Sequence, residues 1–139
     1  MSDYGEIVST LVRIQHSVDQ QDREAFKDCW TEDMQLHLTM FDGTRSTIPS
    51  REDLIARFTA HWTGQPSAMR HAVNGVEVQI TGPATARASF YCTYLNVGAE
   101  PSLAGMGEYH DELVKSPDGK WRVKLRRHAF LTPLAIRQH

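Results

Sequence analysis

Cysteine is scarce in this chain: only Cys29 and Cys92 are present, far apart and without a Cys-x-x-Cys pair. A disulfide scaffold, a redox dithiol and a zinc ribbon therefore have no basis, and both thiols are expected to be free and buried. Long apolar runs are also missing. No stretch approaches the ~20 residues of a membrane span, and Met1-Ser2-Asp3-Tyr4-Gly5-Glu6 lacks the basic start and apolar core of a signal segment, so a cytoplasmic protein is expected. Basic excess is absent too. Fifteen Lys and Arg against 17 Asp and Glu give a formal net charge of -2, which offers no electrostatic reason for a nucleic-acid or anionic-membrane partner. No P-loop, Gly-x-Gly-x-x-Gly or Gly-x-Ser-x-Gly is found, and Gly105-Met106-Gly107 alone does not make one, so nucleotide binding and serine hydrolysis lack a signal.

What remains fits one domain over residues 1–139, 40% hydrophobic and free of repeats or linker-like tracts. Ile7, Leu11, Ile14 and Val18 recur at helical spacing and predict a first helix over 3–18. It ends at an acidic corner, Asp19-Gln20-Gln21-Asp22, where Asp22 can cap a short second helix carrying Phe26, Cys29 and Trp30. Thr31-Glu32-Asp33 reads as a turn. Met34, Leu36, Leu38 and Met40 alternate with polar residues as a half-buried strand, closed by the turn residues Phe41-Asp42-Gly43-Thr44. Ser50 with Asp53 resembles a capping box and opens a third helix with Leu54, Ile55, Phe58 and Trp62 facing the core, stopped by Gly64 and Pro66.

From His71 onward the rhythm changes to period two. Val73 to Ile80, Ala86 to Tyr94, Leu103 to Val114 and Trp121 to Leu131 predict four long strands, with Thr81-Gly82-Pro83-Ala84 and Ser116-Pro117-Asp118-Gly119 as turns. Short turns make such strands antiparallel. Helix, helix, strand, helix and four strands form an α+β plan with helices on one face of a curved sheet.

His71 sits at the seam between layers, where a pocket can form. In the third long strand, Leu103, Gly105, Gly107, Tyr109, Asp111 and Leu113 share one face, and Glu108, His110 and Glu112 the other. The charged face reads as wet, which puts Tyr109 and Asp111 inside. Asp111 either meets a ligand or pairs with a neighbouring arginine. Metal chelation by Glu108, His110 and Glu112 has no supporting His or Cys motif, and no metal site is expected. Arg122, Lys124, Arg126 and Arg127 read as a basic strand edge balanced across the hairpin by Glu108 and Glu112.

Val18-Asp19-Gln20-Gln21-Asp22, Phe26 to Asp33, Arg70-His71-Ala72-Val73-Asn74, Gly107 to Leu113 and Asp118 to Val123 together resemble the SnoaL-like proteins of the nuclear transport factor 2-like superfamily, which include scytalone dehydratase and bile-acid 7α-dehydratase. The resemblance implies a cone-shaped α+β barrel: three helices from the N-terminal half packed on a strongly curved, mixed, mainly antiparallel sheet. It also implies a homodimer or homotrimer. It places Asp19 and His71 on the acid and histidine of a catalytic pair; Tyr109, from the inward strand face, is expected beside them as a donor to a developing oxyanion. Val18 stands where scytalone dehydratase carries a tyrosine.

A carboxylate bonded to one imidazole nitrogen fixes the tautomer and frees the other nitrogen to move a proton. An aspartate at a helix C-terminus otherwise faces the negative end of the helix dipole, and from spacing alone Asp19 could equally be a solvated corner residue. Trp30, Phe58, Trp62 and Phe90 supply apolar walls for a substrate, with Asp111 beside them. The expected activity is that of a cofactor-independent dehydratase or isomerase acting on a cyclic, steroid-like or polyketide-like small molecule. The alternative is a non-catalytic binding or assembly subunit, similar to the small subunit of ring-hydroxylating oxygenases, with Asp19 and His71 too far apart to bond.

Overall fold

The structure, a computed structural model, describes residues 2–137. Helix α1 spans Asp3–Gln20, opened by Ser2, whose side chain accepts from the Gly5 N–H. Ile7, Leu11 and Ile14 form its buried stripe, as helical spacing requires. It stops because Gln21 turns left-handed (φ 55°), an uncommon conformation for a residue with a side chain. That side chain is anchored: Gln21 Oε1 accepts from the N–H groups of Thr63 and Gly64 at 2.7 and 3.1 Å. The end of α1 is thereby tied to the loop that leads into the sheet.

Helix α2, Arg23–Asp28, is capped by Asp22, and α3, Arg51–Thr59, by Ser50, each side chain accepting from the backbone N–H three residues on. Helix α3 ends before Trp62, which packs edge-on against Phe26 from the following turn. The strands are β1 Trp30–Thr39, β2 Arg45–Ile48, β3 Met69–Gly82, β4 Thr85–Asn96, β5 Ser102–Lys115 and β6 Trp121–Phe130. Thr31-Glu32-Asp33 is not a turn but the start of β1, where the register slips between Trp30 and Gln35 and leaves Glu32 and Asp33 exposed.

The sheet runs β2-β1-β6-β5-β4-β3. Only β1 and β6 pair in parallel; the other neighbours are antiparallel. The expected mixed, mainly antiparallel α+β cone is present, but β2 and β3 remain as edges, so the barrel is open.

Two bulges change which residues face inward. Between Tyr94 and Leu95 the β4–β5 register shifts at Gly105, whose φ of 155° favours glycine. Ala104 becomes buried and Leu103 turns outward, 60% exposed, against the simple alternation. A second bulge opposes Glu112 and Leu113 to Leu125 and Val123, so β6 changes phase and Arg126 faces inward. The core joins α1 and α2 to β1, β4, β5 and β6 through Leu11, Phe26, Trp30, Phe90, Leu113 and Val123. Cys29 and Cys92 are free and buried, and burial pushes their thiols up to about 11 and about 12, which leaves them protonated and unreactive at neutral pH. No described helix is long and apolar enough to cross a membrane.

Candidate active site

Docking of the α3–β3 loop onto the end of α1 brings Asp19 and His71 together. The Ser67 N–H donates to the Asp19 carbonyl at 2.8 Å, two residues before β3 begins. The Asp19 carboxylate then takes two contacts from one residue. The backbone N–H of His71 donates to Oδ2 at 3.0 Å, and the His71 ring Nδ1 lies 2.6 Å from Oδ1. Asp19 is 2% exposed. Its awkward place at the negative end of α1 is thus offset by N–H groups from β3. With Nδ1 engaged, Nε2 is the ring nitrogen left for proton transfer.

His71 lines an apolar cavity of about 190 Å³ between the helices and the concave sheet face. Ile14 and Val18 of α1, Phe26 of α2 and Trp30 and Leu36 of β1 form one part of its wall, with Phe58 of α3 nearby. Tyr94, Tyr109, Arg126, His128 and Phe130 form the sheet side. The segment after β6 adds Leu134 and Ile136, both partly exposed. It is pinned by the Ala135 N–H to the Ala104 carbonyl, and by buried Asn96, whose Nδ2 donates to the Ala135 carbonyl and whose Oδ1 accepts from the Arg137 N–H.

Among the residues expected at the site, His71 bonds Asp19 and meets Tyr94, which in turn hydrogen-bonds Tyr109, and Trp30 and Phe58 reach the wall. Phe58, 38% exposed, stacks on Phe26 at the rim. Three expected wall residues sit elsewhere. Trp62 lies behind Phe26 because α3 is too short to carry it forward. Phe90 is one layer deeper, stacked under Tyr109 at 4.6 Å. Asp111 is taken up by Arg126, which donates through Nε and Nη2 at 2.9 and 2.7 Å. The supposed basic edge is divided in the same way: Arg126 is buried, Arg122 pairs with Asp28 and Asp118, and only Arg127 approaches Glu112, at 4.0 Å. On the outer face His110 lies 3.5 Å from Glu108, and no group of three or more potential metal ligands is found among the described residues.

The sequence does not single out Tyr94 or His128 and places Arg126 only on the basic strand edge, although Tyr94 shares the apolar face of β4 with Phe90 and Cys92. The Tyr94 hydroxyl lies 2.7 Å from the Tyr109 hydroxyl and 2.7 Å from His128 Nε2. Its ring also meets the His71 ring edge-on at 5.3 Å. Burial pushes both tyrosines well above their ordinary range, so both hydroxyls stay protonated. The chain of hydrogen bonds can run either way. If His128 donates to Tyr94 and Tyr94 to Tyr109, the Tyr109 hydrogen is free for a ligand oxygen.

Gly107 makes this cluster possible. A Cβ there would fall 2.0 Å from the Tyr94 oxygen, so the place of a side chain is filled by that hydroxyl. Gly107→Ala is expected to expel Tyr94 from its bonds with Tyr109 and His128 and to cost ~1–3 kcal/mol in unfolding free energy. Denaturant melts would check it, and an unchanged midpoint would contradict this packing.

His128 is held at about 3, well below the ordinary histidine value, first by burial and then by the Arg126 guanidinium and the His71 ring. Its folded pKa lies below the unfolded one, so between these values the unfolded chain binds the extra proton. This contribution to stability is fully present above the ordinary value of 6.5, is lost as pH falls from there toward about 3, and changes no further below. His128→Gln should therefore flatten the wild-type loss of stability between about pH 6.5 and 3, measured by denaturant melts at stepped pH.

No curated protein matches the chain. A protein of unknown function with a cystatin-like fold from Nostoc punctiforme superposes with a TM-score of 0.78 at 25% identity, covering 96% of this chain and 94% of that one. ActVI-ORFA from Streptomyces coelicolor gives 0.73 at 20%, covering 91% and 96%. A protein of Novosphingobium aromaticivorans assigned as the beta subunit of an aromatic-ring-hydroxylating dioxygenase gives 0.75 at 16%, covering 97% and 91%. The last two establish shared fold alone. The SnoaL-like domain matches residues 1–127, and with the open cone of helices and sheet around one cavity this makes the chain a member of the SnoaL-like family.

Proposed function

We propose that this protein is a cofactor-independent dehydratase or isomerase whose first step removes a proton from carbon next to a carbonyl. The observation that carries the reading is the 2.6 Å contact between Asp19 Oδ1 and His71 Nδ1 on the wall of an apolar cavity. His71 Nε2 takes the proton, and the C–H electrons move onto the carbonyl oxygen, giving an enolate. Asp19 holds the ring's tautomer and stabilises the imidazolium. Tyr109 donates to the enolate oxygen. Return of the proton to a different carbon completes an isomerisation. Loss of a hydroxyl from the neighbouring carbon, protonated by His71 as it leaves, completes a dehydration. Val18 brings no hydroxyl from the helix side, so the sheet tyrosines take the donor's part.

The alternative of a non-catalytic binding or assembly subunit predicts a separated Asp19 and His71 and little enclosed volume; the bonded pair and the cavity favour the enzyme. Size narrows the substrate. Cavities of about 150 Å³ hold one benzene ring, so about 190 Å³ suits a single substituted ring. The experiment is solvent exchange: one-ring enolisable ketones in heavy water, followed by NMR. Wild-type protein should wash deuterium into the positions next to the carbonyl and His71→Gln should not. Equal exchange by both would sink the reading.

A further inference from the structure

The cavity wall carries two donors that nothing among the described residues satisfies. Trp30 is 1% exposed, and its Nε1–H has no hydrogen-bond partner among the described residues. A buried donor left unpaired costs free energy, and Trp30 is part of the cavity wall. Arg126 is the second. It is 3% exposed, lines the same cavity, and spends Nε and Nη2 on Asp111, which leaves Nη1 without a partner among the described residues. The two side chains touch: the Arg126 Cζ lies 4.9 Å from the centre of the Trp30 ring, and equally far from that of Tyr109.

We propose that Trp30 Nε1 and Arg126 Nη1 form, beside the Tyr109 hydroxyl, the subsite that receives the carbonyl oxygen of a one-ring cyclic ketone. The ligand is uncharged on arrival. Asp111 already balances the guanidinium through two hydrogen bonds, so a carboxylate entering this apolar space would bring an uncompensated charge at high desolvation cost. A ketone oxygen needs only donors, and the fixed guanidinium meets the charge that gathers on it as an enolate forms. Two N–H groups held by packing in an apolar cavity need no reorganisation for that purpose. This deepens the proposed reaction by naming its substrate class, and rests on it only for the direction in which charge develops. The subsite itself is a matter of binding.

The test therefore uses binding. Cyclohexanone, an acceptor only, is compared by calorimetry with methylenecyclohexane, which has the same shape with a carbon in place of the oxygen. Its carbonyl stretch is followed by difference infrared spectroscopy. Trp30→Phe keeps the ring and removes the N–H. It should weaken cyclohexanone about five-fold and leave methylenecyclohexane unchanged. Asp111→Leu with Arg126→Met removes the ion pair as a unit and should weaken the ketone about ten- to hundred-fold, with the carbonyl stretch returning toward its value in an apolar solvent. Ketone affinity and the carbonyl stretch are read without turnover, so a subsite confirmed by them stands even if solvent exchange fails, and exchange can succeed without the subsite. Ketone affinity unchanged in both donor variants, tighter binding of cyclohexanecarboxylate than of cyclohexanone, or no ketone binding at millimolar concentration would each overturn the proposal.

Discussion

His71→Gln is expected to lower kcat/KM on the proposed ketone substrate by about 10²–10⁴-fold, the usual contribution of a positioned proton-transfer group, with little change in melting temperature. Glutamine keeps a polar group near Asp19 but offers no basic nitrogen. Asp19→Asn should come within about ten-fold of the same loss, although it leaves His71 in place. The carboxylate makes two contacts with His71, one to the backbone N–H and one to ring Nδ1. An asparagine can still accept from the backbone through Oδ1, which turns its NH₂ toward the ring. Nδ1 must then accept, the ring hydrogen moves to Nε2, and the lone pair needed for proton removal is gone. Steady-state kinetics on both variants checks this. If Asp19→Asn kept more than half of the wild-type rate, Asp19 would be only an anchor for the start of β3.

That pairing was not legible from spacing. Asp19 is 52 positions from His71, and what closes the gap is Gln21 holding the Thr63–Gly64 backbone and the Asp19 carbonyl holding Ser67. Only the family resemblance placed the two residues together. The helix caps at Asp22 and Ser50, the order of elements apart from the short strand β2, and the inward face of Tyr109 and Asp111 were readable, because they depend on local chemistry and on period two. What escaped lay beyond a bulge. Arg122, Lys124 and Arg126 share one parity and read as one exposed basic edge. The slip opposite Glu112 and Leu113 turns Arg126 inward with His128 and Phe130. A bulge leaves little trace in composition. The usable signal was Asp111 itself: a carboxylate on an apolar strand face demands a cation, and the adjacent strand has few candidates.

Asp111→Ala is expected to cost ~3–5 kcal/mol in unfolding free energy, because it strands the Arg126 guanidinium in the core. Against a total of about 5–15 kcal/mol for a domain, this should lower the melting temperature by on the order of 10 °C. Asp111→Leu with Arg126→Met should cost far less, about 1–2 kcal/mol or nothing, since apolar groups of similar volume avoid the desolvation of both charges. The residual loss would come from the guanidinium's contacts with the rings of Trp30, Phe90 and Tyr109, at 4.9, 5.4 and 4.9 Å. Thermal and denaturant melts of the single and double variants decide the matter, and a double variant as unstable as Asp111→Ala would mean that the pair itself holds the fold. The expected outcome, a double variant near wild-type stability but unable to grip a ketone, would separate the two demands on Arg126. A buried pair that stability does not require is kept for what its third nitrogen can meet in the cavity.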